Sequence, residues 1–119
     1  MITLQDRVSE LLTGVCPQTF YFYPASWAFL PCVAWRESGN REIAQADGHE
    51  HLAEVVYTVD IWARSAAENA ELAALVDARL TAVRLRRTYS ADLFETNSGL
   101  HHRVLRYRAV ADAQGNIYQ

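Results

Sequence analysis

Lysine is missing altogether: all eleven basic side chains among the 119 residues are arginine. Long apolar runs are missing too. None approaches the roughly 18–20 residues that a helical membrane span needs, so no membrane partner is expected. The opening Met1-Ile2-Thr3-Leu4-Gln5-Asp6-Arg7 lacks the basic-then-apolar order of a secretory leader, and a soluble, cytosolic chain is expected. Cysteine is scarce. Cys16 and Cys32 stand beside Pro17 and Pro31 with no CxxC or other metal spacing, and read as two small buried hydrophobes in a reducing compartment. The chain has no glycine-rich phosphate loop, no G-x-S-x-G and no HExxH. No repeat, low-complexity tract or linker divides it, so residues 1–119 are expected to form one domain.

What is present is ordinary globular composition, half apolar and 21% charged, in a length that buries roughly 65% of the unfolded surface. The charges are not evenly spread. Residues 1–78 hold four Arg against eleven acids, and residues 79–119 hold seven Arg against three acids. Such asymmetry can serve nucleic acid, but a net charge of −3 argues against a dedicated binder. The alternative is that an acidic flank of one copy meets a basic flank of the next. Arginine suits that role because its planar, weakly hydrated fork pairs with carboxylates.

Periodicity gives the elements. Thr3 and Asp6 resemble a capping box, and Leu4, Val8, Leu11 and Leu12 repeat at helical spacing before Gly14, predicting a helix over 4–13. Thr19–Tyr23 is β-branched and aromatic and reads as a strand closed by Pro24. Residues 24–31 are irregular. Cys32–Glu37 reads as a second strand before a turn at Ser38-Gly39-Asn40, and Asp47-Gly48 is a hairpin signal. Leu52–Arg64 is the clearest strand. Val55, Tyr57, Val59 and Ile61 alternate with Val56, Thr58, Asp60 and Trp62, so both faces are apolar and the strand should be central. Ser65 and Glu68 form a capping box for a second helix striped by Leu72, Leu75, Val76, Leu80 and Val83. Leu85–Phe94 and Leu100–Ala111 are strands around a turn at Asn97-Ser98-Gly99, and residues 112–119 read as a loose polar tail. The order α-β-β-β-α-β-β predicts an α+β fold, a mainly antiparallel sheet of about four to five strands with both helices on one face.

Few residues invite chemistry. His49 and His51 would project to one side of a strand as two metal ligands, but both they and His101-His102 adjoin turns, where polar residues are ordinary. Asp60 among Tyr57 and Trp62 could be a perturbed acid; an arginine partner from a neighbouring strand or subunit is the better reading. Arg84, Arg86, Arg87, Arg103, Arg106 and Arg108 could grip phosphates, with Tyr89 and Tyr107 as stacking surfaces. Strand geometry divides them: Arg84 and Arg86 point one way and Arg87 the other, and Arg106 and Arg108 oppose Arg103. A phosphate-tracking stripe would be less divided, so pairing between subunits fits better. No catalytic set, cofactor site or metal site is expected.

The chain resembles the tail-completion or tail-terminator proteins of long-tailed phages and prophages, over about residues 2–110. The resemblance is carried by Leu4-Gln5-Asp6-Arg7-Val8-Ser9-Glu10-Leu11-Leu12 before an aromatic strand, and by Val56-Tyr57-Thr58-Val59-Asp60-Ile61-Trp62-Ala63 running into Ser65-Ala66-Ala67-Glu68. The third element is the closing hairpin, Tyr89–Glu95 and then Gly99-Leu100-His101-His102-Arg103-Val104-Leu105-Arg106-Tyr107. The resemblance implies a non-enzymatic virion protein, assembled in the host cytoplasm and resident in the neck or tail. It implies a ring, expected to be a hexamer, that caps the head-proximal end of the tube, ends its growth and offers a surface to the head-tail connector. Asp60, Arg84, Arg86, Arg103, Arg106 and Arg108 are then candidates for the subunit interface. Trp27, Phe29, Arg41, His49 and His51, in 24–31 and 39–51, are candidates for contact with the tube or connector protein. Another neck or head-closure protein, or a small nucleic-acid-binding module using the Arg-rich hairpin, is the alternative.

Overall fold

The computed structural model describes residues 1–118. Helix α1 spans Gln5–Leu12 and strand β1 Gln18–Tyr21; β2 spans Cys32–Ala46, β3 His49–Ala63, α2 Ala66–Thr81, β4 Arg86–Glu95, β5 Leu100–Asp112 and β6 Ile117–Tyr118. The strands form one sheet in the order β1-β2-β3-β5-β4, with β6 added to β5. Every pairing is antiparallel except β1 with β2. The fold is α+β, as periodicity predicts.

Strand β3 is central because it can be buried on both sides. Its odd-numbered residues Ala53, Val55, Tyr57, Val59 and Ile61 are fully buried and join Val33, Trp35, Leu105 and Tyr107 from flanking strands. Val8 and Leu12 of α1 and Leu72, Val76 and Leu80 of α2 close over this face. Both helices therefore lie on one side of the sheet. Two buried tyrosines stand side by side there, Tyr57 opposite Tyr107 in the β3–β5 register. The Tyr57 hydroxyl accepts from the Leu4 backbone N–H at 2.8 Å and donates to Glu37 at 2.8 Å, fixing the start of α1. The Tyr107 hydroxyl donates to Asp77 of α2 at 2.8 Å. Burial pushes both phenols well above their ordinary pKa. Asn69 of α2 is a third tie: buried, it donates to the carbonyls of Ile61 and His101 and accepts from Arg103 Nε.

Several boundaries differ from expectation, each for a local reason. Thr3 does not cap α1; Leu4 is the N-cap, and Thr3 Oγ1 donates to Glu37 instead. Ser65 does cap α2, accepting from the Glu68 N–H at 3.1 Å. Ser38-Gly39-Asn40 is not a turn. Strand β2 continues through it with a bulge between Glu37 and Gly39, where Val56 Cβ would lie 3.4 Å from any added Cβ. The hairpin therefore closes only at Asp47 and Gly48, both in the left-handed region at φ 53 and 77. Two 15-residue strands make a long arm, and the molecule measures 52 × 24 × 24 Å. Residues 112–118, expected to be loose, turn back onto β5. Asp112 accepts from the Tyr118 hydroxyl at 2.7 Å, from Asn116 and from the Gln114 N–H. Those bonds, Tyr118 first, hold its pKa down to about 2.

Candidate functional site

With the helices on one side, the other sheet face is left to the strands and the 22–31 loop. Register fixes what it carries. Cys32, Trp62, His102 and Leu93 form one row across β2, β3, β5 and β4, and Ala34, Asp60, Val104 and Ala91 the next. Arg36, Thr58, Arg106 and Tyr89 follow, and then Val56, Arg108 and Arg86 beyond the Gly39 bulge. This face is thus apolar towards the β4–β5 turn and arginine-rich towards the long arm.

The apolar half is roofed in part by aromatic rings. Trp62 meets Trp27 edge-on at 5.1 Å and Tyr23 at 6.0 Å, while the His102 ring stacks on its other side at 4.5 Å. His102 Nε2 lies 2.8 Å from Asp60 and Nδ1 3.4 Å from Glu95, which also accepts from Trp62 Nε1. At this end of the face Phe22, under Arg36 at 5.6 Å, Tyr23 and Phe29 are each at least 60% exposed.

In the charged half, most cations are already matched. Asp60 receives Arg36 at 3.3 Å besides His102, so it is a buried, internally paired carboxylate with 8% exposure. Arg108 meets Glu54 at 2.6 Å, and Arg41 reaches the same carboxylate at 3.4 Å. The Arg108 contact is the first cause of the lowered Glu54 pKa. On the helix side, Arg87 pairs with Asp77, and Arg103 with Asp92 and Asn69. Three cations near β4 differ. Among the described residues Arg84, Arg86 and Arg106 have no carboxylate within 4 Å; Arg106 lies over Tyr89 at 4.8 Å. A cavity of about 410 Å³ opens beside Arg84 and Arg86, lined also by Arg87, Arg108 and Tyr118.

Arg84 is not on a strand, as spacing suggested. It follows α2 at φ 73, with its N–H on Thr81 O and the Leu85 N–H on Leu80 O. This is a Schellman stop whose left-handed position glycine occupies more cheaply.

The remaining candidates are scattered. Trp27 is in the aromatic roof and Phe29 at its exposed rim, whereas Arg41, His49 and His51 ride the arm, which is paired strand and not loop. Among the described residues no three His, Cys, Asp or Glu side chains gather as metal ligands. Spacing pointed to Asp60 and the arginines. It gave no hint of the His102–Trp62 stack, because those rings meet only through β3–β5 register.

A family model described as tail completion protein gp17 matches residues 5–112, nearly the whole sheet and both helices. The chain belongs to the tail completion protein gp17 family. Its place is therefore in a phage tail, as a structural component. The match ends at Asp112, the residue that clips the turned-back terminus, and takes in β1 to β5 of the six-stranded sheet. A comparison with curated proteins found no match. Among the described residues no helix is long and apolar enough to cross a membrane.

Proposed function

We propose that this tail-completion protein acts as a homo-oligomeric ring, a hexamer, on the head-proximal end of the tail tube, ending tube polymerisation and presenting the surface that the head-tail connector joins. No catalytic step is part of this role. The supporting observation is the sorting of unmatched charge. Arg84 and Arg86 lie at the β4 edge and Arg106 on β5 beside it, while Glu42 and Asp47 lie on the opposite, β2 side of the sheet, with no cation within 4 Å among the described residues. Unlike patches on opposite sides of one subunit are what a heterologous, closing interface requires. The exposed Phe22, Tyr23 and Phe29 then remain for the tube or connector protein.

Adding the gold-labelled protein to polymerising tube protein tests the reading by electron microscopy. Labelled rings at one end of shortened tubes are expected. Label along the tube walls, or unchanged tube length, counts against it. The nucleic-acid reading is not favoured: of the five arginines on the open face, Arg36 is paired with Asp60, and Arg41 and Arg108 share Glu54.

A further inference from the structure

We propose that neighbouring copies join by strand addition, β4 of one copy pairing antiparallel with residues 36–46 of β2 of the next, so that one sheet runs from subunit to subunit. The inference rests on the ring reading and specifies its contact.

Two free edges carry it. Among the described residues, strand β4 is hydrogen-bonded on one side only, to β5. Its ten residues are almost all exposed, and from Tyr89 to Glu95 its register is unbroken. It carries no proline and, in a chain without lysine, no lysine, and its one bulge lies between Arg87 and Tyr89, ahead of the unbroken stretch. Tyr89, Leu93 and Phe94 are 45–55% exposed along it. On the far edge, β1 covers β2 only from Cys32 to Trp35, leaving Arg36–Ala46 open. The open stretch is about as long as β4.

Direction and charge agree. Strands β2, β3, β5 and β4 alternate in direction, so the next β2 set beside β4 continues the alternation. Antiparallel pairing brings the Arg84–Arg86 end of β4 to Glu42 and Asp47 near the arm's tip. It brings Glu95 towards Arg36. The open part of β2 lies nearer the arm's tip than β4 does, since Arg86 is level with Gly39. The pairing is therefore staggered along the strands, as closure of a sheet on itself demands. Arg84 adds an independent sign. It keeps a left-handed backbone where glycine would cost less, and among the described residues no carboxylate lies within 4 Å of it.

The test uses the full chain. Sedimentation and native mass spectrometry, from dilute solution to high concentration and with tube protein added, give the assembly midpoint. Hydrogen exchange maps the contact. Alternate amides of Arg86–Glu95 and Arg36–Ala46 are expected to gain protection on assembly. Arg84→Gly and Arg86→Glu should each raise the midpoint roughly tenfold or more, the first without loss of melting temperature, and Asp47→Arg should restore assembly of Arg86→Glu. Rings unaffected by these variants, or protected elsewhere, overturn strand addition while leaving the ring. A chain that stays monomeric throughout overturns both.

Discussion

The two faces of the sheet handle polar groups in opposite ways. Under the helices, each buried hydroxyl and amide is satisfied within the chain: Tyr57 by Leu4 and Glu37, Tyr107 by Asp77, Asn69 by two carbonyls and Arg103. On the open face and its β4 edge, Arg84, Arg86 and Arg106 meet no carboxylate within 4 Å among the described residues, and Phe22, Tyr23 and Phe29 stay exposed. A face completed by its own chain encodes stability. One left incomplete encodes assembly, because an unmatched guanidinium or phenyl gains most from what arrives later.

Substitutions should respect that division. The largest effect is expected from Leu80→Ala, which empties a fully buried site under the helices and should cost about 2–5 kcal/mol in chemical denaturation. Leu93→Ala, exposed on β4, should stay within about 0.5 kcal/mol. Equal losses for the two would erase the contrast between the faces. Next comes Tyr57→Phe, expected to cost about 1–3 kcal/mol by stranding the buried Leu4 N–H and removing one of the donors to Glu37. A neutral result in the same assay would mean that the helix start does not depend on this hydroxyl.

Neighbouring arginines of the open face should separate by whether a carboxylate of their own chain meets them. Arg108→Glu places a second carboxylate against Glu54 and should lower the melting temperature. Arg106→Glu loses only its place over Tyr89, so folding should change little while assembly weakens. Similar melting temperatures for the two variants would show that the Glu54 pair contributes nothing.

The smallest effect is local and set by acid. The folded Asp112 pKa, about 2, lies below its ordinary value of 3.8. A depressed carboxylate contributes stability that is present above the unfolded pKa and lost as pH falls through the folded one. The 112–118 clip should therefore hold at pH 5 and open between about pH 4 and 2, read from Tyr118 resonances; an unchanged signal at pH 2 would falsify it.

Much of this architecture was legible in the residues. Alternation on both faces marked β3 as central, the Ser65 cap started α2, and Asp47-Gly48 marked the hairpin. What misled was local grammar overruled by distant partners. Ser38-Gly39-Asn40 spells a turn, yet pairing with Val55 and Val56 keeps it in the strand as a bulge. Thr3 and Asp6 spell a cap, yet Glu37 draws the threonine away. The polar terminus looks mobile until Asp112 gathers it. The site was legible as composition only. Arginine enrichment after residue 78 is visible in the sequence, but which arginines are spare depends on Asp60, Glu54, Asp77 and Asp92 arriving from other strands and from α2.

One rung of the ladder has a dynamic consequence. Because Tyr57 and Tyr107 stand opposite each other, with one hydroxyl holding the start of α1 and the other α2, neither helix can lift without disturbing the same pair of rings. The helices should behave as a single cooperative unit, opening together in native-state exchange, while the outer strands remain free to fray or dock independently of them.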